Sequence, residues 1–198
     1  PRRIREGLFQ ESGHTVKMIL TLASASPRRR ELVRKLGMDV EIHPADADEY
    51  TEEKDDKTAV TDIAERKARA VSGDLVLGAD TMVVACGRRL GKPKNEREAY
   101  EMFSLLCGRT HSVLTGVCLI GGGKCVRACE ETLVEFGPYD ETVVSAYIRS
   151  GKPFDKAGGY GIQDPELAPI IKNITGDYDN VLGLPVKLVG RLIGENFT

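Results

Sequence analysis

The stretch MILTLASASPRRREL (residues 18–32) begins as an apolar run and passes through two serines and a proline into three consecutive arginines. Residues 18–22 are typical of a buried strand. Ser26 suits a helix N-cap, and Pro27 suits the first helical position because its missing N–H would have no partner there anyway. The segment therefore predicts a strand, a tight turn and a helix that begins at Pro27.

This turn also predicts an anion-binding site. Free N–H groups at a helix start attract anions, and arginine side chains bind phosphate in a bidentate manner. The third residue after Ser26 is Arg29, where a capping box would have Glu or Gln, so this helix start stays electropositive. An alternative is that the arginines are solvated charges on an amphipathic helix with Leu32, Val33 and Leu36 as its apolar stripe.

Helical and extended segments alternate along the rest of the chain, which favours an α/β fold with a mixed or mainly parallel sheet. The spacing predicts further strands over residues 38–43, 75–84, 113–120 and 125–136, the last two forming a hairpin. It predicts helices over residues 58–72, 95–107, 140–148 and from 185 onward. No repeat or linker interrupts the pattern, so we expect one domain over residues 18–198. An N-terminal extension of unassigned function, residues 1–17, precedes it.

Length and charge limit the classes of function. The 198 residues suffice for one domain with its own core. A formal net charge of −2 favours a small anionic ligand over nucleic acid or an acidic membrane. No window approaches the ~20 apolar residues of a membrane span, and no signal peptide is evident, so we expect a cytoplasmic protein.

The five cysteines are odd in number and lack C-x-x-C spacing, which is typical of reduced, mostly buried thiols. Cys125 and Cys129 would share one face of a strand, which leaves a zinc site as an alternative. No histidine lies nearby in the sequence to complete it.

Asp80 interrupts the apolar run of residues 75–84, where an unpaired carboxylate would cost several kcal/mol. It therefore needs a partner: it is either part of a buried ion pair or a cap for a neighbouring loop, or else a metal-binding or general-base carboxylate. Asp48 and Glu49, in an acidic loop, could supply a second oxygen ligand. Mg²⁺ usually takes one or two protein carboxylates together with water and substrate phosphate.

Two lysines could add to the positive charge of Arg28 and Arg29. Lys67 interrupts the apolar pattern of its helix, and Lys92 lies in the turn GKP (residues 91–93). Together the four cations would neutralise a triphosphate, although lysines on turns are ordinarily just exposed.

The segment DKAGGYGIQ (residues 155–163) has three glycines in four positions, which allows left-handed backbone and close approach to a ligand. Tyr160 is either a core residue or a neighbour of a nucleotide base. The amide of Gln163 can pair with the N3–H and a carbonyl of uracil or thymine. The alternative is an ordinary glycine-rich turn whose glutamine bonds to backbone.

Five ordered motifs resemble those of the Maf family of nucleotide pyrophosphatases, at residues 23–29, 78–81, 91–93, 155–163 and 180–185. The resemblance runs from about residue 18 to residue 193. It implies an elongated mixed β-sheet flanked by helices, with a cleft between two lobes, similar to inosine-triphosphate pyrophosphatases. It also implies hydrolysis of a nucleoside triphosphate to the monophosphate and pyrophosphate with a divalent cation, Mg²⁺, Mn²⁺ or Co²⁺.

The same resemblance implies roles for individual residues. Asp80 matches the proton acceptor, and Asp80 and Glu49 match the metal-binding pair. The residues that match catalytic or phosphate-handling groups are Ser24, Arg28, Arg29, Glu49, Lys67, Asp80 and Lys92. Members that prefer dTTP and UTP resemble this chain at Arg28, Thr81 and Gln163, whereas a sister group that prefers 7-methyl-GTP has Trp, Gln and Glu there. Gly159 departs from the family pattern, since many relatives have alanine.

These observations predict a dTTP/UTP pyrophosphatase that removes unwanted pyrimidine nucleotides before polymerases use them. Its expected partner is the nucleotide substrate, with no nucleic acid or membrane, and a homodimer is plausible. Two alternatives remain open at this stage. One is a non-hydrolysing nucleotide sensor linked to cell division and septum formation, and the other is a nucleic-acid-binding module that uses the arginine helix.

Overall fold

The computed structural model describes residues 18–197, so the predicted extension and Thr198 lie outside the described residues. The seven strands in this part of the chain are β1 (Leu20–Leu22), β2 (Val40–Ile42), β3 (Leu75–Ala85), β4 (Arg88–Leu90), β5 (Thr110–Gly121), β6 (Lys124–Phe136) and β7 (Ile171–Thr175). They form one sheet in the order β2-β1-β3-β5-β6-β7, with β4 paired to β3.

Six α-helices flank the sheet within this part of the chain: α1 (Pro27–Val33), α2 (Asp56–Arg69), α3 (Glu96–Leu106), α4 (Glu141–Arg149), α5 (Tyr178–Leu182) and α6 (Val186–Asn196). Short 3-10 turns occur at Arg34–Leu36, Lys152–Asp155, Ala157–Gly159 and Pro165–Leu167. None of the helices in residues 18–197 is long and apolar enough to cross a membrane.

The sheet is mixed, as predicted, but most of its pairing is antiparallel. Among residues 18–197, β1 forms the two parallel pairings, with β2 on one side and β3 on the other. Of the two forms predicted the sheet is thus the mixed one, because the long strands β3, β5 and β6 pair antiparallel with one another. Between β5 and β6 the turn residues Gly122 and Gly123 have φ of 52° and 75°, which suits a tight two-residue turn.

Helix starts follow local capping. The hydroxyl of Ser26 accepts a hydrogen bond from the N–H of Arg29 (3.4 Å), and Pro27 opens α1 as predicted. Helix α2 begins two residues before its predicted start, because the carboxylate of Asp55 accepts from the N–H of Thr58 (2.8 Å) and caps the helix earlier.

The two larger hydrophobic cores of residues 18–197 lie along the sheet, and β3 and β5 pass through both. Ala79 belongs to the first core and Val83 to the second, while Asp80, Thr81 and Met82 between them are only half-buried. The first core is typified by Leu20, Leu77, Val117, Leu184 and Val189, and the second by Phe103, Phe136, Tyr147 and Ile148. The predicted two-lobed α/β architecture is therefore confirmed, and β3 crosses the junction of the lobes.

Helix α2 lies directly on the backbone of β3 and β5. A Cβ atom at Gly78 would be 2.1 Å from the carbonyl oxygen of Ala64, and one at Gly116 would be 2.5 Å from that of Val60. Side chains cannot fit at these contacts. The close packing directs Lys67, on the sheet-facing side of α2, toward β3.

The cysteines only partly match expectation. Cys107 and Cys118 are buried and Cys129 is half-buried, but Cys86 and Cys125 are exposed, so the expectation of mostly buried thiols is wrong for these two. Strand β6 places Cys125 near the sheet margin, where its sulfur lies 3.7 Å from that of Cys118. Within residues 18–197, no cluster of three or more His, Cys, Asp or Glu side chains is arranged to hold a metal ion.

Candidate functional site

A cavity of about 650 Å³ opens between the lobes, beside the middle of β3. Ligand sites for small molecules commonly have volumes of about 300–1,000 Å³. Nine residues to which the family resemblance gives a role line it: Ser24, Arg28, Arg29, Glu49, Lys67, Asp80, Thr81, Lys92 and Gln163. Segments far apart in the sequence thus contribute to one site, while the role of each residue remains a prediction.

The acidic part of the cavity is organised around Lys67. Its ammonium lies 2.6 Å from Oδ1 of Asp80 and 2.7 Å from Oε1 of Glu49. The Lys67 and Asp80 side chains are only 11% and 13% exposed, so this pair is strongly shielded from solvent. Asp48 does not take part, because its carboxylate accepts from the N–H of Tyr50 (2.9 Å) in a local turn.

The ion pair keeps Glu49 charged. Partial burial alone would raise its pKa, but the hydrogen bond and charge of Lys67, together with the charges of Lys92 and Arg29, hold the pKa of Glu49 below its usual value. Two carboxylates therefore converge on one positive charge. Oxygen donors in this number suit Mg²⁺ or Mn²⁺, which complete their coordination with water and phosphate oxygens.

Neighbouring residues of β3 serve opposite faces of the sheet, because side chains alternate along a strand. Gly78 and Asp80 face α2, where Asp80 meets Lys67. Thr81 faces α1 instead, and its Oγ1 accepts from Nη2 of Arg29 (3.0 Å). The polar break in β3 thus supplies a carboxylate on one face and a hydroxyl on the other.

Arg29 is held in place on three sides. Its Nε donates to the carbonyl oxygen of Gly183 (2.8 Å), Nη2 donates to Thr81, and Nη1 lies 3.5 Å from the hydroxyl of Ser24. Burial lowers the pKa of this guanidinium, and the charge of Asp80 opposes that effect. With five N–H donors, Arg29 keeps two for a ligand while the others fix its orientation.

Arg28 lies nearer the mouth of the cavity and has a carboxylate partner that the sequence did not indicate. Its Nη1 is 3.1 Å from Oδ2 of Asp155, whose other oxygen accepts from the ammonium of Lys156 (2.7 Å). The ion pair joins α1 to the glycine-rich segment across the cleft.

The glycine-rich segment owes its shape to packing on β3. Gly158 and Gly159 are left-handed, with φ of 70° and 71°, as predicted for this motif. A Cβ at Gly158 would come within 3.0 Å of the Val83 side chain, and one at Gly161 within 2.6 Å of Oδ2 of Asp164. The close approach that these glycines permit is therefore to the protein itself.

Tyr160 and Gln163, in the same segment, have different environments. Tyr160 is a core residue, 5% exposed, whose hydroxyl lies 2.7 Å from Nε2 of His111. Gln163 is exposed at the cavity wall.

The cavity is strongly positive overall. Three charged residues at its wall were missed, namely Arg89, Asp155 and Lys156, although the last two lie in a motif that drew attention for its glycines. Six cationic side chains face three carboxylates around this space: Arg28, Arg29, Lys67, Arg89, Lys92 and Lys156 against Glu49, Asp80 and Asp155. Such an excess of positive charge suits a polyphosphate.

Comparison with known proteins places the chain in one family. A family model described as Maf-like protein matches residues 19–196. The dTTP/UTP pyrophosphatase of Symbiobacterium thermophilum is 46% identical over 181 residues, covering 89% of this chain and 93% of that protein. The dTTP/UTP pyrophosphatase of Thermococcus gammatolerans is 45% identical over 177 residues, covering 88% and 95%.

A more distant likeness concerns the fold alone. The structure of the Staphylococcus aureus Ham1 protein superposes with a TM-score of 0.52 at 12% identity, covering 89% of this chain and 98% of that one.

Proposed function

The chain belongs to the Maf family, and from that premise we propose that it is a nucleoside triphosphate pyrophosphatase acting on dTTP and UTP. The observation that carries the proposal is the cavity beside β3, where a buried carboxylate lies next to an excess of cationic side chains. Relatives that carry this activity in their names match this chain over nearly their whole length.

The cations account for substrate binding. Arg29 is oriented by backbone and hydroxyl acceptors, so it can engage phosphate oxygens without first losing much side-chain entropy. Arg28 and Lys92 extend the positive surface toward the cavity mouth. In this proposal the triphosphate lies along these groups, and the base extends toward the glycine-rich segment.

The carboxylates account for a divalent cation. Glu49 and Asp80 would hold Mg²⁺, Mn²⁺ or Co²⁺, since their oxygens already converge on the ammonium of Lys67. Such an ion would neutralise charge on the phosphate oxygens. With such an ion bound, the ammonium of Lys67 would add its own positive charge to this neutralisation.

The reaction proposed is attack of water on the α-phosphorus. Asp80 orients this water and accepts a proton from it as the oxygen bonds to phosphorus. The bond from the α-phosphorus to the bridging oxygen breaks, and pyrophosphate leaves with the electron pair. Arg29 and Lys67 stabilise the charge that develops on the phosphate oxygens, which is the main contribution a protein makes to such chemistry.

Base selection is assigned to Gln163. Its side-chain amide can both accept from N3–H and donate to a carbonyl, which matches uracil and thymine. A cytoplasmic enzyme with this selectivity would remove unwanted or modified pyrimidine nucleotides from the polymerase substrate pool.

The test is incubation of the purified protein with Mg²⁺ or Mn²⁺ and a panel of dTTP, UTP, CTP, GTP and 7-methyl-GTP, with pyrophosphate and orthophosphate measured separately. We expect pyrophosphate release, fastest with dTTP and UTP. Orthophosphate as the first product would mean cleavage at another bond and overturn the mechanism. Tight binding with no product would favour a nucleotide sensor.

A further inference from the structure

A second threonine lies behind the site, out of reach of solvent. Thr115 on β5 is directly opposite Thr81 on β3 and has no exposed surface. The two hydroxyl oxygens are 3.0 Å apart, and that of Thr115 is also 3.0 Å from the carbonyl oxygen of Asn180.

The direction of these hydrogen bonds follows from the groups at the two ends of the row, the Arg29 N–H, which can only donate, and the Asn180 carbonyl, which can only accept. A carbonyl can only accept, so the single hydroxyl proton of Thr115 goes to Asn180. Thr81 must then donate to Thr115, which leaves the oxygen of Thr81 as an acceptor for Nη2 of Arg29. In this row each hydrogen bond is donated inward, from Arg29 to Thr81, from Thr81 to Thr115 and from Thr115 to Asn180.

The carbonyl of Asn180 supports Arg29 by a second route. It also accepts from the N–H of Gly183 (2.9 Å), and the carbonyl of Gly183 accepts from Nε of Arg29 (2.8 Å). Asn180 is itself fixed to the sheet, because its amide donates to the carbonyl of Val113 and to the hydroxyl of Thr132, both at 3.0 Å. Two of the three acceptors that orient Arg29, Gly183 and Thr81, are thus tied to one buried carbonyl.

We propose that Thr115 is a positioning residue for triphosphate binding, acting through Thr81 on the Arg29 guanidinium. The inference rests on the proposed function of the cavity. Because the Thr81 hydroxyl donates its proton inward to Thr115, its oxygen is free to accept the hydrogen bond from Arg29. Hydrogen bonds in such a row strengthen one another, and this fixes the free N–H groups of Arg29 toward the phosphates.

Loss of the Thr115 hydroxyl has a definite consequence. In Thr115→Val the Thr81 proton has no inward acceptor, and it turns toward the space that the Arg29 N–H occupies. Arg29 then loses one orienting bond. We expect the KM for dTTP and the Kd for inorganic triphosphate each to rise about tenfold, with a smaller change in kcat.

Five variants and two measurements test this, with Thr81→Val as the background for the double variant. Thr115→Ser keeps the hydroxyl and should retain wild-type affinity. Thr61→Val is the matched control, because Thr61 is a buried threonine outside the cavity whose hydroxyl bonds only to carbonyls of its own helix. Thr115→Val in a Thr81→Val background should add nothing further, since Thr115 acts through Thr81.

Calorimetric titration with inorganic triphosphate gives Kd, and steady-state hydrolysis of dTTP gives KM and kcat separately. Wild-type affinity in folded Thr115→Val, or a full additional loss in the double variant, would overturn the proposal. If Thr115→Val does not fold, Thr115→Cys replaces it, since a thiol is similar in size to a hydroxyl but a weak donor. Equal affinity for triphosphate in the Cys and Ser variants would then overturn the proposal. Absence of pyrophosphate release by wild type refutes the enzymatic function alone, because the triphosphate Kd still decides the role of Thr115.

Discussion

At the scale of single residues, the proposed chemistry depends first on the Asp80 carboxylate. Asp80→Asn keeps the size of the side chain but removes its charge and its ability to accept a proton. We expect kcat for dTTP to fall by about 10²–10⁴-fold, the usual contribution of a general base. Pyrophosphate release measures the loss, and circular dichroism checks that the fold is retained.

The matched control for that substitution is Asp62→Asn. Asp62, on α2, pairs with Arg127 and is not among the residues that line the cavity. Its variant should retain wild-type kcat. An Asp80→Asn enzyme with kcat close to wild type would remove Asp80 from the mechanism.

Gln163 carries the second prediction at this scale. In Gln163→Glu the carboxylate cannot donate to a base carbonyl, so we expect kcat/KM for UTP and dTTP to fall about tenfold to a hundredfold. Glu166→Gln, in an exposed ion pair with Lys152, is the control and should change neither value. Unchanged selectivity among dTTP, UTP and CTP in the Gln163 variant would place base recognition elsewhere.

Single residues were the easiest part of the site to predict and their partners the hardest. Asp80 was conspicuous because a carboxylate in an apolar strand demands a partner. The pairing of Arg28 with Asp155 spans 127 positions, and no local pattern reports such a contact. Thr115 gave no signal at all, since a threonine in a strand is ordinary.

At the scale of elements, the position of α2 on β3 is what brings Lys67 to Asp80. In Gly78→Ala the new Cβ would meet the Ala64 carbonyl at 2.1 Å, so α2 must move outward. We expect loss of about 1–3 kcal/mol in the free energy of unfolding, together with a fall in kcat as the Lys67–Asp80 contact lengthens. Urea unfolding and steady-state kinetics measure the two effects.

The control at this scale is Gly194→Ala on α6, where a Cβ would meet nothing within 4 Å. Alanine is the better helix former, so this variant should be as stable as wild type or slightly more stable, with unchanged kcat. If Gly78→Ala had the wild-type free energy of unfolding and the wild-type kcat, the close contact of α2 with β3 would not be needed for the site.

Elements were predictable where their cause is local. Ser26 and Pro27 determine the start of α1, and the three glycines after residue 120 determine the hairpin of β5 and β6. Which face of α2 meets the sheet depends instead on the strands, where glycines without a side chain leave room for the helix backbone. Gly78 and Gly116 encode that contact, and in one sequence they resemble any other strand glycines.

At the scale of the whole molecule, the site lies where β3 and β5 pass from one core to the other, so its geometry depends on both lobes. The second core contains a buried imidazole. His111 is 3% exposed, and its imidazole ring packs edge-to-face with the rings of Phe136 and Tyr160. Within the part of the chain that the structure describes, its buried Nδ1 has no hydrogen-bond partner, which leaves no acceptor there for the second N–H of a charged ring.

Acid should therefore weaken the whole molecule through this histidine. Burial lowers the pKa of His111 from 6.5 to about 4 in the folded protein. Above pH 6.5 the ring is neutral in both states and contributes no pH dependence. Between pH 6.5 and pH 5 the His111 ring becomes protonated in the unfolded chain but stays mostly neutral in the folded one. The free energy of unfolding therefore falls by about 2 kcal/mol by pH 5. Urea unfolding at pH 7.5 and pH 5 should show this drop in wild type and in His43→Gln, whose histidine is exposed, but a smaller drop in His111→Gln. NMR titration of the His111 ring checks the cause directly, and a midpoint near 6.5 would contradict it.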